Sequence, residues 1–225
     1  GIFKIICRVL DMIKEQYQHL KPQPDYLLER RLSEEGYLTV AGVDEVGRGP
    51  LAGPVVAAAV ILDKNNIPVG LNDSKKLSKK RREELFVQIL ETSIHSIGRA
   101  SVIEIDNLNI YHASHLAMCR AINGLPDEPQ YALIDGNKVP EKLKIPALAV
   151  VKGDSKSLSI SAASIVAKVS RDNYMVDLAQ HYPEYGWEKN AGYPTKAHIF
   201  ALKKCGVTPH HRVSFRPVHN ILYQG

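Results

Sequence analysis

Two adjacent carboxylates, Asp44 and Glu45, end an apolar segment and are followed by Gly47, Arg48 and Gly49. Carboxylate oxygens are the ligands that hard divalent cations such as Mg²⁺ and Mn²⁺ prefer. Side chains of a strand alternate between its faces, so both groups would serve one site only if the strand twists or bulges there. The alternative is a buried Asp beside a solvated Glu at an ordinary strand end.

Three further acidic residues follow apolar segments or lie on an apolar helix. Asp135 closes the segment Tyr131–Asp135, and sites in open α/β sheets lie at the carboxyl ends of strands, although an Asx turn would use the same residue. Asp172 lies four residues after Lys168, on the same helix face, which also permits a simple ion pair. Asp154 is the rival of Asp172, but we expect it to cap a turn.

Together these positions favour phosphoryl transfer assisted by divalent metal. Two Mg²⁺ or Mn²⁺ ions per site would activate a water molecule and stabilise the leaving oxygen. Competing chemistries have no comparable support, because the sequence contains no GxxxxGK[ST] loop, no HExxH and no GxSxG.

The distribution of charge predicts a surface for a polyanion. The net charge is +5, Glu188 is the last acidic residue, and six Lys or Arg residues follow it. The other 23 basic residues are balanced by 24 acidic ones, so the positive excess lies in the last 37 residues. A solvated face is the alternative. The candidates for phosphate contacts in this region are Lys196, Lys203, Arg212 and Arg216.

Hydrophobic periodicity predicts an α/β fold with one main domain. We expect a helical N-terminal extension over residues 1–36, with a second short helix around Tyr26–Ser33, and a main domain over residues 37–225. Apolar runs predict strands at 38–45, 54–62, 95–102, 131–135 and 147–152. Amphipathic runs predict helices at 79–92, 106–123, 157–180 and 195–205. Strands that alternate with helices indicate a sheet covered on both faces.

Other features narrow the class of protein. Three cysteines share no short spacing, which disfavours a zinc ribbon or disulfide scaffold and fits a reducing cytosol. No apolar run reaches membrane-spanning length, and the first residues lack a signal-peptide pattern. We therefore expect a cytoplasmic protein with no membrane partner.

Seven motifs, in this order, resemble the type 2 ribonuclease H (ribonuclease HII) family of bacterial kind, and the resemblance covers about residues 38–220. The motifs are Asp44-Glu-Val-Gly-Arg-Gly-Pro, Asn72-Asp-Ser-Lys-Lys-Leu, Leu133-Ile-Asp-Gly-Asn, Val151-Lys-Gly-Asp, Ala162-Ala-Ser-Ile-Val-Ala-Lys-Val-Ser-Arg-Asp, Gly192-Tyr-Pro-Thr and His211-Arg-Val-Ser-Phe.

The resemblance implies a ribonuclease H-like fold, with a central mixed sheet flanked by helices and a basic C-terminal helical region. It implies cleavage of RNA in RNA/DNA hybrids and incision 5′ of single ribonucleotides in duplex DNA, leaving a 3′-hydroxyl and a 5′-phosphate. The metal carboxylates that it implies are Asp44, Glu45, Asp135 and Asp172. The substrate-binding residues that we predict are Gly47, Arg48, Gly49, Lys76, Tyr193, Lys196, Arg212 and Ser214.

The sequence departs from the family pattern in two places, and it leaves other functions open. The extension before residue 38 is unusual for the family, and Lys189-Asn190-Ala191 stands where a His-Lys pair is expected. No clamp-binding tail is evident after Phe215, and we expect a monomer. A non-catalytic nucleic-acid-binding relative and another two-metal nuclease, such as a junction resolvase, are the alternatives.

Overall fold

A five-stranded mixed sheet forms the centre of the computed structural model, which describes residues 23–223. Its strands, rich in Val, Ala and Ile, are β1 (Val40–Val46), β2 (Val55–Leu62), β3 (Ser93–Ala100), β4 (Tyr131–Asp135) and β5 (Ala147–Val150). The spatial order is β3-β2-β1-β4-β5. β1 pairs antiparallel with β2 and parallel with β4, so the carboxyl ends of β1 and β4 meet at one edge of the sheet.

Seven α-helices lie within the described residues, one before the first strand and the others between or after the strands. They are α1 (Leu27–Glu34), α2 (Lys79–Thr92), α3 (Val102–Asn123), α4 (Leu158–His181), α5 (Trp187–Asn190), α6 (Lys196–Cys205) and α7 (Arg216–Tyr223), with short 3₁₀ turns at Gly153–Ser155 and Pro183–Tyr185. The predicted α/β class and mixed sheet are confirmed.

Two adjoining predicted boundaries were wrong, because a capping signal was overlooked. The helix expected from Asp106 begins at Val102, since Ser101 and Glu104 form a reciprocal capping box. The preceding strand accordingly ends at Ala100 rather than at 102. Within α3, Asn109 has φ 67°, which interrupts the helix, and its side chain accepts a hydrogen bond from the amide of His112.

Helices cover both faces of the sheet, as the sequence predicted. Alternate residues of β2 divide between the two sides: Ala57 and Ala59 pack in the cluster that contains α3, while Ala58 and Val60 pack with α2 and α4. Helix α4 lies so close to β1 that a Cβ on Gly42 would be 2.1 Å from the backbone of Ser159. Burial on both faces makes β1 and β2 a rigid support for the loop between them.

The C-terminal region packs around Trp187, which is fully buried. Leu51, Met175, Leu202 and Val218 surround it, so the cluster joins the β1–β2 loop, the end of α4, α6 and α7. The basic C-terminal helical region is therefore part of the same packed body as the sheet.

The N-terminal extension is described only from residue 23. Helix α1 corresponds to the second short helix that the sequence predicted, and Leu32 packs with Val40, Leu133 and Ile160. The helix expected before Pro22 lies outside the described residues, and the domain boundary at 36/37 stays a prediction. Between residues 23 and 223, no helix is both long enough and apolar enough to cross a membrane.

Candidate active site

Three carboxylates converge where β1 and β4 end. Asp44, Glu45 and Asp135 each offer one oxygen, and these oxygens all lie within 4.8 Å of one another. The amide of Glu45 donates to Asp44 Oδ1 at 2.7 Å, and the amide of Gly153 donates to Asp135 Oδ1 at 2.6 Å. The backbone therefore orients two of the three groups, and both members of the Asp-Glu pair serve one site.

The electrostatic environment of this cluster disfavours ionisation. Burial, followed by the charges of Glu45, Asp135 and Asp154, raises the pKa of Asp44 well above its usual value. Burial also raises the pKa of Glu45, although the nearby Arg48 guanidinium, 3.4 Å from Glu45 Oε1, opposes the shift. A group of acids that repel each other in this way is typical of a site that binds a cation.

The donor set fits divalent metal. The second oxygen of Glu45, Oε2, is buried and has no hydrogen-bond partner, which is costly for a carboxylate unless a cation meets it. Oxygen ligands from Asp44, Glu45 and Asp135 are those that Mg²⁺ and Mn²⁺ prefer. These three residues could therefore hold a metal ion.

The charge of Asp154 acts on this cluster. It is buried, at 8% exposure, in the 3₁₀ turn Gly153–Ser155 that follows β5. Burial and the charges of Asp73 and Asp135 raise its pKa, and Asp154 in turn contributes to the raised pKa of Asp44. Its oxygens lie outside the 4.8 Å group, but its charge acts on Asp44, a member of that group.

The structure does not bring Asp172 to this cluster, which corrects the sequence prediction. Asp172 Oδ1 accepts a hydrogen bond from Lys168 Nζ at 2.9 Å, the ion pair that the i,i+4 spacing permits. It lines a cleft between α2 and α4 with Lys79 and Arg82. The preceding residue, Arg171, faces the protein interior, and one step along the helix turns Asp172 away from it.

The Gly-Arg-Gly loop lies beside the carboxylates and against Tyr193. A Cβ on Gly49 would lie 3.3 Å from Tyr193 Cε1, so the ring contacts the loop backbone. Gly47 has φ +94°, and a Cβ there would lie 2.2 Å from Arg171 Nε. Glycine is therefore required at Gly47 by both conformation and space. The structure thus brings the Gly47–Gly49 loop next to Tyr193, and their role in substrate binding stays a prediction.

Two fully buried arginines bind the backbone of the connection between β1 and β2. Arg212 donates to the carbonyl oxygens of Gly47, Arg48 and Gly53, and Arg171 donates to those of Ala52, Pro54 and Ala191.

Their burial decides what these arginines can do. Burial and the neighbouring Arg171 charge lower the pKa of Arg212 to about 9, and burial lowers that of Arg171 to about 10. Arg212 is 0% exposed, so the prediction that it contacts substrate was wrong. The charge pattern of the sequence gave no indication that this guanidinium points inward.

The left-handed backbone of Ala191, φ 49°, orients its carbonyl oxygen to accept a hydrogen bond from Arg171.

A buried histidine pair fixes the backbone of Tyr193. His198 Nδ1 lies 2.9 Å from the Tyr193 carbonyl oxygen, and His198 Nε2 lies 3.1 Å from both Trp187 Nε1 and His211 Nε2. The indole can only donate, so His198 Nε2 accepts and its Nδ1 carries the proton that reaches Tyr193. Burial, followed by the charges of His198 and His210, lowers the pKa of His211 to about 3, which keeps it neutral.

The remaining predicted contact residues are all exposed, but two of them are hydrogen-bonded to other side chains. Lys76 is exposed and donates to Ser155 Oγ at 3.0 Å, next to Asp154. Lys196, Lys203 and Arg216 are exposed, and the first two lie on α6 with Phe200 between them. Ser214 is bound to Asp106 through both its amide and its hydroxyl, so its side chain ties the C-terminal region to α3.

Sequence reasoning missed Lys75, the neighbour of the predicted Lys76. Burial lowers the pKa of Lys75, but the charges of Asp73, Asp44, Asp154 and Asp135 outweigh it and raise the pKa overall. Lys75 is thus close enough to the acidic cluster for its charges to act on it, and the Asn-Asp-Ser-Lys-Lys turn was the available signal.

A mixed sheet that carries clustered carboxylates at adjacent strand ends, with a glycine-rich loop beside them, defines a nuclease of the ribonuclease H class. The sequence model of the family described as ribonuclease HII matches residues 41–218. The chain belongs to the ribonuclease HII family. It is therefore an endonuclease that hydrolyses RNA in RNA/DNA hybrids, and it depends on divalent metal as this family does.

Two relatives named ribonuclease HII align with almost the whole length of this chain. The chain is 63% identical over 202 residues to ribonuclease HII of Ruegeria pomeroyi, covering 90% of this chain and 86% of the relative. It is 62% identical over 199 residues to that of Paracoccus denitrificans, covering 88% and 95%.

Solved structures confirm the fold. Ribonuclease H2 of Pyrococcus horikoshii matches with a TM-score of 0.71 and 30% identity, covering 83% of this chain and 98% of that one. RNase HII of Archaeoglobus fulgidus, in a complex with PCNA, matches with a TM-score of 0.63 and 27% identity, covering 79% and 95%. The Mn²⁺ complex of Bst-RNase HIII, at 22% identity and a TM-score of 0.71, covers 89% and 73% and shows the fold alone.

The raised pKa of Asp44 predicts a stability effect in the metal-free protein. An acid whose pKa is higher in the folded state contributes stability at low pH and loses it as pH rises through the folded pKa. We expect Asp44→Asn to unfold at a higher temperature than the wild type at pH 8 without divalent metal, and the difference to shrink toward pH 4. Asp172→Asn, which removes a partly buried ion pair outside the cluster, is the control. A lower melting temperature for Asp44→Asn at every pH would show that the ionised Asp44 carboxylate does not destabilise the fold.

The burial of Arg212 separates its role from that of exposed cations. Arg212→Gln leaves buried carbonyl oxygens unpaired, so we expect the free energy of unfolding to fall by about 2–4 kcal/mol. The salt dependence of hybrid binding should keep its slope. Lys196→Gln or Lys203→Gln should instead lower that slope by about one for each phosphate that is no longer neutralised, with little change in stability. If Arg212→Gln is as stable as the wild type and the salt dependence of its hybrid binding has a smaller slope, Arg212 contacts the nucleic acid.

Proposed function

We propose that this endonuclease also incises duplex DNA on the 5′ side of a single ribonucleotide, using two divalent ions and leaving a 3′-hydroxyl and a 5′-phosphate. The observation that carries the proposal is the contact between Gly49 and the Tyr193 ring beside the carboxylate cluster. Backbone groups and an aromatic ring that lie next to the scissile bond can distinguish ribose from deoxyribose in the sugar on each side of the cut.

The metal ligands in this proposal are Asp44, Glu45, Asp135 and Asp154. The oxygens of the first three lie within 4.8 Å of one another, and Asp154 supplies a fourth carboxylate whose charge acts on Asp44. Bound Mg²⁺ or Mn²⁺ would activate the attacking water and stabilise charge on the leaving oxygen. The protein contributes orientation, since the amides of Glu45 and Gly153 fix two of these carboxylates.

Recognition of ribose is assigned to the loop Gly47–Gly49. Without side chains at its two glycines, the backbone can approach a 2′-hydroxyl, the group that separates RNA from DNA. Arg212 binds the carbonyl oxygens of Gly47 and Arg48, and Arg171 binds those of Ala52 and Pro54 further along the same connection, so the position of the loop is preset. A rigid loop discriminates better, because an analogue that lacks the hydroxyl leaves a preset polar group unpaired.

Recognition of deoxyribose is assigned to Tyr193. The ring is 39% exposed, and the backbone beneath it is fixed by His198 and Thr195. An aromatic face can stack on a sugar that lacks a 2′-hydroxyl and would clash with one that has it. Exposed cations, including Lys76, Lys196 and Lys203, would bind the phosphates on either side.

That the protein is cytoplasmic and monomeric stays a prediction.

The choice between Asp154 and Asp172 can be tested directly. We expect Asp154→Asn to lower the cleavage rate of an RNA/DNA hybrid by at least a hundredfold, because it removes a charge from the metal site. Asp172→Asn removes a partner of Lys168 only and should keep most activity. Single-turnover rates with both proteins shown to be folded make the comparison. A severe loss for Asp172→Asn with a mild one for Asp154→Asn would reverse the assignment.

Substrate choice tests the proposed function itself. The wild type should cut a DNA duplex that contains one ribonucleotide at its 5′ side, with Mg²⁺ and with Mn²⁺, and should leave the all-deoxy duplex intact. Tyr193→Ala should lower the rate on this substrate by about tenfold or more while binding changes little. Phe200→Ala removes an exposed aromatic ring on α6 and is the matched control. Cleavage of both duplexes at equal rates would remove the ribose-sensing role.

A further inference from the structure

The N-terminal segment Asp25–Glu29 contacts the loop that carries Asp154, although it lies before the region matched by the family model, which begins at residue 41. The amide of Asp25 donates to the Lys156 carbonyl oxygen at 3.1 Å, and the amide of Leu158 donates to the Asp25 carbonyl oxygen at 2.9 Å. The two chain segments thus form a short parallel bridge centred on Asp25 and Ser157.

Glu29 makes the second contact, and it is buried at 2% exposure. Its Oε1 accepts hydrogen bonds from Ser157 Oγ at 2.6 Å and from the amide of Ser159 at 2.9 Å. No Lys, Arg or His among residues 23–223 forms an ion pair with this carboxylate, whereas the N-terminus of the 24-residue helix α4 lies against it. The positive end of the helix dipole is the compensating partner of this buried charge.

These contacts complete the N-terminus of α4. Its first amides have no partner inside the helix and need one outside. The amide of Leu158 finds the Asp25 carbonyl oxygen, that of Ser159 finds Glu29, and that of Ile160 finds Ser157 Oγ. Two of the three acceptors come from the N-terminal segment, and the third is itself held by Glu29.

The same contacts fix the turn before the helix. The Gly153 carbonyl oxygen accepts from the amides of Lys156 and Ser157, and the Gly153 amide donates to Asp135 Oδ1. The turn that contains Asp154 is therefore bound at one end to the carboxylate cluster and at the other to the N-terminal segment.

We propose that Glu29 is a positioning residue for the reaction: together with the Asp25 backbone it fixes the turn 153–157 and so holds Asp154 at the metal site. This inference rests on the proposed role of Asp154. Glu29 touches neither substrate nor metal and acts through Ser157 and the start of α4.

A general loss of stability would be the other consequence of removing Glu29, and a matched variant separates the two. Leu32→Ala lies on the same helix, α1, and creates a cavity against Val40, Leu133 and Ile160. It destabilises the docking of α1 without removing a hydrogen bond to the turn. Glu29→Gln keeps the length and the acceptor oxygen and is the conservative variant.

The first measurement is Mn²⁺ binding by calorimetry, without nucleic acid, on the full chain. We expect Glu29→Ala to weaken Mn²⁺ binding by about tenfold, the size of effect seen when a group that orients a ligand is lost. Glu29→Gln should recover most of the affinity, and Leu32→Ala should bind as the wild type does. If Glu29→Ala does not fold, Glu29→Asp replaces it, since the shorter side chain cannot keep both contacts.

The second measurement is amide hydrogen exchange in the metal-free protein. Glu29→Ala should speed exchange in residues 153–160 selectively, whereas Leu32→Ala should speed exchange around α1. Wild-type Mn²⁺ affinity in Glu29→Ala, or equal losses of affinity in Glu29→Ala and Leu32→Ala, would overturn the inference. Wild-type Mn²⁺ affinity in Asp154→Asn would instead overturn the metal-binding role of Asp154 in the proposed function.

Discussion

Mutual repulsion among carboxylates at the ends of β1 and β4 is the constraint on which the rest of this structure depends. Folding brings Asp44, Glu45 and Asp135 within a few ångströms of one another and removes Asp44 from water, which raises the pKa of Asp44. The strands that carry these side chains are buried on both faces, so the backbone keeps the carboxylates together. The cost is balanced by apolar packing across the sheet.

A second consequence of this constraint is that the backbone near the cluster is fixed by groups that cannot move easily. Arg212 and Arg171 are placed behind the loop rather than in it, and each binds three carbonyl oxygens. Buried guanidinium groups are costly unless all their donors are used, so the loop and the two arginines specify each other. Trp187 and His198 extend the same rigid support to Tyr193.

The helix α4 connects these parts. Its N-terminus follows the turn that carries Asp154 and packs on β1 at Gly42, and Arg171 near its middle binds the loop after β1. A shift of this helix would therefore disturb the acidic cluster and the Gly47–Gly49 loop together. The segment Asp25–Glu29 matters for the same reason, because it binds the one end of α4 that the family-matched region leaves incomplete.

The sequence by itself determined the strands, their carboxylates and the family. Apolar runs that end in Asp44-Glu45 and Asp135 predict strand ends with metal ligands, because alternation and chain order are local properties. Only the tertiary structure decided which side chains face inward. The spacing of Lys168 and Asp172 permits an ion pair as well as a ligand, and the charge of Arg212 does not reveal its burial. Asp154 joined the site because β5 lies beside β4, and pairing between strands distant in sequence is set by packing of the whole sheet rather than by any local pattern.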